Sequence, residues 1–216
     1  MPDTHNQMNN VNQPSLATPP GTAGEVSELL DRLRRASNAL QFVHGLNPAQ
    51  WEALRFLGRA NRYSRSPSTL AEYLGTTKGT ASQTLAALDA KGYVERCRDC
   101  DDRRGVSVEL TEKGRELLTR DPMLCIERTV AALPSECAAH LAKGLSVVLG
   151  KIRGGCRQGA FGVCGRCNHL VAAGAAETTL CGLTRDPLSE GDVKLLCVNF
   201  ADRPGDAPET RAQPSQ

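Results

Sequence analysis

The nine cysteines of this 216-residue sequence carry its most distinctive chemistry. Cys164 and Cys167 form a C-x2-C pair with glycines around it, the kind of tight turn that directs two thiolates at one ion. Cys181 follows after thirteen residues, and Cys197 follows after fifteen more. Four thiolates at these spacings suit a closed tetrahedral site, because the turn supplies two ligands and two later segments supply one each. The sequence therefore predicts a four-cysteine metal site.

Two kinds of metal centre fit that donor set. Four cysteines suit a zinc ion, which would be structural, and equally suit an iron–sulfur cluster, whose redox state or loss would act as a signal. The third interpretation is that no metal binds. Cys156 and His169 are close enough in sequence to replace a ligand. The segment 154–201 has few large apolar residues, so a metal ion would be its main means of folding.

Cys97 and Cys100 form a second C-x2-C pair. Metal binding there needs two further ligands that the sequence does not place. The pair is either a redox switch, through a disulfide or a shared metal, or two thiols without a role. Cys125 and Cys137 fall within helical patterns and are expected to be small buried hydrophobes. Clustered thiols in a reducing compartment indicate metal or redox chemistry rather than stable disulfides.

Two short helical patterns precede the second cysteine pair and meet at Gly75. Their apolar residues recur on one face of each helix: Leu70, Ala71 and Leu74 in the first, and Ala81, Leu85 and Leu88 in the second. The second helix is expected to begin near Thr77, a capping residue, and to end near Gly92, which suits the left-handed position after a helix. This arrangement predicts a helix-turn-helix.

The solvent face of the second helix is small and polar on its first turns. Beside the cap Thr77 it consists of Lys78, Gly79, Thr80, Ser82 and Gln83. Such side chains let a helix enter the major groove of DNA and reach base edges, and Lys78 is available for a phosphate. An ordinary amphipathic helix is the competing interpretation.

A hairpin pattern follows and favours DNA binding. Residues 106–110 alternate between apolar and polar side chains, and residues 93–98 would pair with them. The loop between the two strands holds Asp102, Arg103 and Arg104, which are placed to reach the DNA backbone or the narrow minor groove. The pattern predicts a winged helix-turn-helix.

The run D-D-R-R-G-V-S-V-E-L-T-E-K-G, which ends at Gly114, resembles the wing of the MarR family of bacterial transcription regulators. The run L-A-A-L-D-A-K-G-Y-V-E-R, which ends at Arg96, resembles the end of that family's recognition helix. The resemblance covers roughly residues 25 to 153. It implies that Arg104 contacts the minor groove, that Asp102 holds Arg104 by an ion pair, and that the first helix enters a dimer interface.

A late helical pattern indicates a second copy of the chain. Its apolar residues repeat at spacings of three and four: Ala138, Leu141, Leu145, Val148 and Ile152. This is a narrow seam of the coiled-coil kind, which needs a partner helix. We therefore expect a twofold-symmetric homodimer that reads a pseudo-palindrome, with half-sites about one turn of DNA apart.

These patterns predict a mainly α fold with a small β wing: a winged helix-turn-helix with a helical dimerisation region, plus a small cysteine-rich module. The expected divisions are a disordered arm at 1–22, the MarR-like region at 23–153, the cysteine-rich module at 154–201 and a disordered tail at 202–216. Asn47, Pro48 and Gln50 have the capping pattern of a helix start, and Trp51 is expected in the core.

The net charge of +2 requires any DNA-binding face to be local. The candidates are Arg62, Arg65, Lys78, Arg96, Arg98, Arg103 and Arg104. No stretch approaches the apolar length of a membrane span, and the first residues lack a signal-peptide pattern. We expect a cytoplasmic protein that does not bind membranes.

The predicted function is that of a DNA-binding transcription regulator, a repressor and not an enzyme, whose cysteine site is structural or senses redox or metal status. Double-stranded DNA and a second copy are the expected partners, and a small-molecule effector is a further candidate. A thiol–disulfide oxidoreductase competes, but it would set C-x2-C at a helix start after a strand, and neither pair has that context. A non-DNA-binding interaction protein would require a degraded wing and recognition face.

Overall fold

The computed structural model describes residues 21–98, 106–155, 161–173 and 178–203. Seven helices lie in these ranges: α1 (Thr22–Leu40), α2 (Pro48–Arg59), α3 (Pro67–Leu74), α4 (Lys78–Ala90), α5 (Glu112–Leu118), α6 (Leu124–Ala131) and α7 (Ser135–Gly155). Seven short strands accompany them: β1 (Val94–Arg98), β2 (Val106–Leu110), β3 (Gly162–Val163), β4 (Leu170–Ala173), β5 (Thr178–Cys181), β6 (Pro187–Leu188) and β7 (Leu196–Cys197). The fold is mainly helical with small sheets, as the sequence predicts.

The chain divides into two compact units, residues 1–40 and residues 41–216. The first contains α1, whose side chains Leu29 and Leu33 are 53% and 50% exposed. A spacing of four residues places both on one face of the helix. Asp31 accepts hydrogen bonds from Arg34 and Arg35. α1 is therefore amphipathic, and its apolar face is open to solvent in the single chain.

α2 begins at a reciprocal capping box. The Asn47 side chain accepts the Gln50 N–H at 2.9 Å, and the Gln50 side chain accepts the Asn47 N–H at 3.3 Å. Pro48 occupies the first turn, where a missing N–H leaves no hydrogen bond unmade. This start directs Trp51 and Leu54 into the core, where both are fully buried. The predicted cap and the core position of Trp51 are confirmed.

α3 and α4 form the helix-turn-helix. Ser66 caps α3 by accepting the Thr69 N–H at 3.1 Å, and Gly75 ends that helix in the left-handed conformation, with φ at 62°. Thr77 caps α4 in the same way, accepting the Thr80 N–H at 3.1 Å. The buried residues of α4 are the three predicted ones, Ala81, Leu85 and Leu88. The sequence signals for this motif are confirmed.

β1 and β2 form the antiparallel wing, with Val94 opposite Leu110. Both side chains are buried, so the base of the wing belongs to the core of the winged helix. Thr111 follows β2 and caps α5 by accepting the Gly114 N–H at 3.1 Å. The tip of the wing lies outside the described residues, and it includes four predicted site residues: Cys100, Asp102, Arg103 and Arg104.

α6 and α7 bury little within the chain. No residue of α6 is buried, and Leu141 and Ile152 of α7 are exposed. Cys125 and Cys137 are exposed too, so the expectation that they are buried is wrong. Helical periodicity marks an apolar face but does not tell whether the same chain covers it. Among the described helices, none has both the length and the apolar character needed to cross a membrane.

The cysteine-rich module, described at 161–173 and 178–203, consists of two small sheets. β3 pairs with β7, and β5 lies between β4 and β6; all three pairings are antiparallel. Leu196 of β7 also forms a parallel bridge with Ala60, just beyond the end of α2. The module therefore extends its strand pairing into residues 60–66, which we call the α2–α3 connection.

Candidate nucleic-acid interface and cysteine centre

The N-terminal end of α4 presents a polar face to solvent. Lys78, Gly79, Thr80 and Gln83 are exposed, and Ser82 is half-buried. The hydroxyl oxygens of Thr77 and Thr80 lie 2.8 Å apart, so the cap also orients Thr80. A helix N-terminus attracts phosphate through its free N–H groups and positive dipole end, and Lys78 adds a charge there. The five exposed or half-exposed residues match the predicted recognition face; their contact with DNA stays a prediction.

Two arginines that were candidates for a basic face are used inside the chain. Arg62 donates from Nη2 to the Pro187 carbonyl at 2.6 Å. Arg65 donates from Nη1 to the Glu109 carboxylate at 3.0 Å. The Arg65 carbonyl also accepts the Val108 N–H of β2 at 2.8 Å. The side chains of Arg62 and Arg65 therefore fix the α2–α3 connection to the module and to the wing, and their part in a DNA-binding face stays a prediction.

The four predicted metal ligands come together in the module. Cys164 and Cys167 lie on one turn of 3-10 helix and its end, Cys181 ends β5, and Cys197 ends β7. All four are buried, with 4% to 9% of each residue exposed. They line one cavity of about 10 Å³, the space of roughly one water molecule. His169, a candidate substitute ligand, lines the same cavity and is half-buried.

These thiols do not form a finished metal site as they stand. Within the described ranges, no group of three or more His, Cys, Asp or Glu side chains is already arranged to hold a metal ion. These four cysteines are not joined in disulfides. Metal binding at the four cysteines therefore stays a prediction, and it would require the thiols to lose their protons and close on the ion.

The sulfur atoms receive hydrogen bonds from the surrounding backbone. Cys167 Sγ accepts the N–H groups of His169 and Ala201, each at 3.4 Å. Burial opposes ionisation of Cys181, but hydrogen bonds from Thr184 and Leu183 hold the pKa of that thiol below its usual value. Hydrogen bonds of this kind favour the thiolate, which is the form that binds metal.

Cys164 lies in a different electrostatic environment. Burial, followed by the nearby thiols of Cys197, Cys167 and Cys181, raises the pKa of Cys164 to about 11. Desolvation and neighbouring negative charge both disfavour a further anion. A cation among the four thiols would offset this effect and favour the thiolate form of Cys164.

Cys197 is flanked by two hydrogen bonds to the α2–α3 connection. The Asn61 N–H donates to the Leu196 carbonyl at 2.8 Å, and the Val198 N–H donates to Ser64 Oγ at 2.9 Å. The Ser64 hydroxyl in turn donates to Asn61 Oδ1 at 2.7 Å. Asn61 and Ser64 are buried, so water cannot replace these partners.

Tyr63 forms a second link between the connection and the module. Its hydroxyl donates to the Asp186 carboxylate at 2.6 Å and lies 3.1 Å from the Thr184 hydroxyl. Thr184 is also a hydrogen-bond donor to Cys181. The hydrogen bond from Tyr63, aided by Thr184, lowers the pKa of Asp186. Tyr63 was not among the predicted site residues, because one tyrosine in a polar loop has no periodic signal.

An aromatic cluster forms the third link. The ring of Phe161, just before β3, lies 5.3 Å from the ring of Tyr73 in α3 and 6.1 Å from that of Phe56 in α2. Edge-on ring pairs at such distances add to the apolar area that they bury. The module therefore contacts the helix-turn-helix directly as well as through the connection.

Cys97, the described member of the second cysteine pair, lies in β1 opposite Ser107. It is half-buried, and its predicted partner Cys100 lies outside the described residues. A redox role for the pair stays a prediction.

Residues 44–105 match the sequence profile of the MarR family. This part of the chain is similar to the MarR family. This segment contains α4, which presents the polar face, and α2, α3 and β1, which pack against α4. The α2–α3 connection, to which the module is bound, also lies inside it.

The curated relatives are named as transcription regulators. Transcriptional repressor MprA of Escherichia coli is 32% identical over 87 residues, which are 40% of this chain and 49% of MprA. HTH-type transcriptional regulator TtmR of Methylorubrum extorquens is 34% identical over 99 residues, which are 46% of this chain and 49% of TtmR. The chain spans about half the length of the curated relatives it matches.

A solved structure of a mutant of MepR from S. aureus has a TM-score of 0.51 and 19% identity to this chain. The match covers 61% of this chain and 98% of that chain. At this identity the likeness shows the fold alone.

Replacing Ser64 by alanine should weaken the attachment of the module. The change leaves the Val198 N–H and Asn61 Oδ1 without their partner in a buried place, which costs about 1–3 kcal/mol. Urea unfolding of the full chain measures the loss. Ser146→Ala is the control, because its hydroxyl also makes a hydrogen bond, to the Ala142 carbonyl, but is exposed on α7. Equal losses in the two variants would contradict a structural role for the Ser64 contacts.

Proposed function

We propose that the protein is a DNA-binding transcription regulator that acts as a homodimeric repressor on a pseudo-palindromic operator. The observation that carries the proposal is the exposed polar face of α4, on a capped helix inside a MarR-family winged helix. The names of relatives such as MprA, a transcriptional repressor, support the same function.

In this proposal α4 enters the major groove. Thr80, Ser82 and Gln83 reach base edges, while Lys78 and the N–H groups near the Thr77 cap bind phosphates. Base contacts supply sequence preference, and phosphate contacts supply affinity and salt dependence. The wing residues Asp102, Arg103 and Arg104 would add a minor-groove contact, as the family resemblance implies.

Exposed apolar side chains support the homodimer. On α7 they include Leu141, Val147, Val148, Leu149 and Ile152, which are 39% to 57% exposed. On α1 they include Val26, Leu29, Leu30 and Leu33, which are 36% to 53% exposed. Apolar stripes on helices of soluble proteins are normally covered, and a second copy is the natural cover for a protein that reads a palindrome.

The proposal includes one zinc ion held by Cys164, Cys167, Cys181 and Cys197. Four buried thiols around one cavity form the donor set of a structural zinc site. The cavity, about 10 Å³, suits one ion better than an iron–sulfur cluster, which brings several iron and sulfide atoms. A bound cation also removes the repulsion between neighbouring thiolates.

A thiol–disulfide oxidoreductase is the weaker alternative. Such enzymes activate a partly exposed cysteine by lowering its pKa. Here the members of the C-x2-C pair at 164 and 167 are buried, and the pKa of Cys164 is raised. The environment suits a closed ligand site rather than an attacking thiolate.

Replacing Lys78 by alanine should weaken DNA binding uniformly across sequences, because it removes a phosphate contact. The slope of log affinity against log salt should fall by about 1. The probe is a duplex selected from a random-sequence pool by the purified protein, and sedimentation should find two chains per duplex. Lys194→Ala, which removes an exposed charge from the module, should leave the slope unchanged. An unchanged slope in Lys78→Ala would remove this residue from the interface, and failure to select any duplex would contradict the proposed function.

Protein purified without oxygen should contain about one zinc per chain and no sulfide, as expected for one four-cysteine site. Elemental analysis and the visible absorption spectrum measure this. Cys181→Ser should lose most of the zinc, whereas Cys125→Ser, at an exposed position on α6, should retain it. Iron with sulfide and a brown colour would establish a cluster instead, and absence of both metals would contradict the four-cysteine site.

A further inference from the structure

The cysteine centre and the DNA-binding elements share one short segment of backbone. The residues on either side of Cys197 are hydrogen-bonded to Asn61 and Ser64 of the α2–α3 connection, at 2.8 and 2.9 Å. Ser66, at the end of the same connection, is the cap of α3. Only Arg65 separates the last contact of the module from the first residue of the helix-turn-helix.

A side-chain path runs parallel to this backbone path. The Tyr63 hydroxyl contacts Asp186 and Thr184, and Thr184 donates a hydrogen bond to Cys181. Two of the four thiols, Cys181 and Cys197, are thus one or two contacts away from the connection. Movement of these thiols towards a metal ion would act on the connection directly.

The connection also holds the wing. The Arg65 carbonyl accepts the Val108 N–H at 2.8 Å, and the Arg65 guanidinium pairs with Glu109 at 3.0 Å. Val108 and Glu109 belong to β2, the strand that follows the wing tip in the chain. One five-residue run, Asn61–Arg65, therefore contacts the cysteine centre on one side and the wing on the other.

We propose that metal occupancy of the cysteine centre regulates DNA affinity through the α2–α3 connection, so that the metal-loaded protein binds DNA more tightly than the metal-free protein. This inference rests on the proposed function. The module has a small core in the described ranges, in which the four cysteines of the centre accompany Leu188 and Leu196. Such regions open locally at low free-energy cost, and opening would release both the cap of α3 and the base of the wing.

The coupling is reciprocal. If zinc raises DNA affinity by a given factor, bound DNA must raise zinc affinity by the same factor. Both ligands favour the state in which the connection is ordered, so each shifts the population towards it. A purely structural metal that holds only its own module would give a factor of one.

The test compares zinc-loaded and chelator-treated full-length protein on the selected duplex. Loading with zinc alone should tighten binding by about 5- to 150-fold, the usual range of coupling between two sites. Competition with a chromogenic chelator then measures zinc affinity with and without the duplex, and it should give the same factor.

Tyr63→Phe tests the path itself. It retains the ring and removes the hydroxyl that contacts Asp186 and Thr184, so zinc and DNA should each still bind while the coupling factor falls by half or more. Tyr73→Phe is the matched control, because the Tyr73 ring contacts Phe161 and Phe56 but no hydrogen bond of its hydroxyl is recorded among the described residues. If Tyr63→Phe is poorly folded, Asp186→Ala tests the same contact from the module.

The outcomes separate this inference from the proposed function. Equal DNA affinity of the loaded and metal-free proteins, or tighter binding by the metal-free protein, would overturn the inference and leave the proposed regulator standing. Failure of both forms to bind any selected duplex would overturn both. Retention of the full coupling factor in Tyr63→Phe and Asp186→Ala would overturn the path through Tyr63.

Discussion

The cysteine-rich module has too few large apolar side chains to build a core of its own, and this constraint explains its place in the fold. Its buried apolar residues in the described ranges are Cys164, Cys167, Cys181, Leu188, Leu196 and Cys197, of which four are thiols. The module completes its sheet edge and its hydrogen bonds with residues 60–66. The winged helix therefore covers one side of the module, and the α2–α3 connection is held in place by its contacts with the module.

Because of this attachment, the α2–α3 connection joins the module to both α3 and the wing. Loops usually carry function at the surface, whereas here Asn61 and Ser64 are buried and are hydrogen-bonded to the residues on either side of Cys197. The same run of backbone caps α3 and supports β2. In the proposed coupling, a change in the module would reach the recognition elements through these short hydrogen bonds, without a long path through the core.

Local signals explain which parts of the fold could be predicted from the sequence. The capping box at Asn47, the left-handed Gly92 and the alternation before Leu110 each depend on a few neighbouring residues, and the structure confirms all three. The meeting of the four cysteines followed from ligand spacing. The contacts of Tyr63 and Ser64 join residues more than 120 positions apart, as the Tyr63–Asp186 pair shows, and no periodic pattern records such a pairing. The exposure of Cys125 was missed because periodicity does not say what covers a helix face.

Hydrogen–deuterium exchange with and without zinc tests most directly whether the module supports the DNA-binding elements. The account predicts that zinc slows exchange of the Asn61 N–H, which donates to Leu196, and of the Val108 N–H, which donates to Arg65. Protection at Val108 is decisive, because this N–H lies in the wing and donates to the α2–α3 connection and not to the module. Slower exchange confined to residues 161–203 would contradict the account, since the metal would then stabilise only the module that binds it.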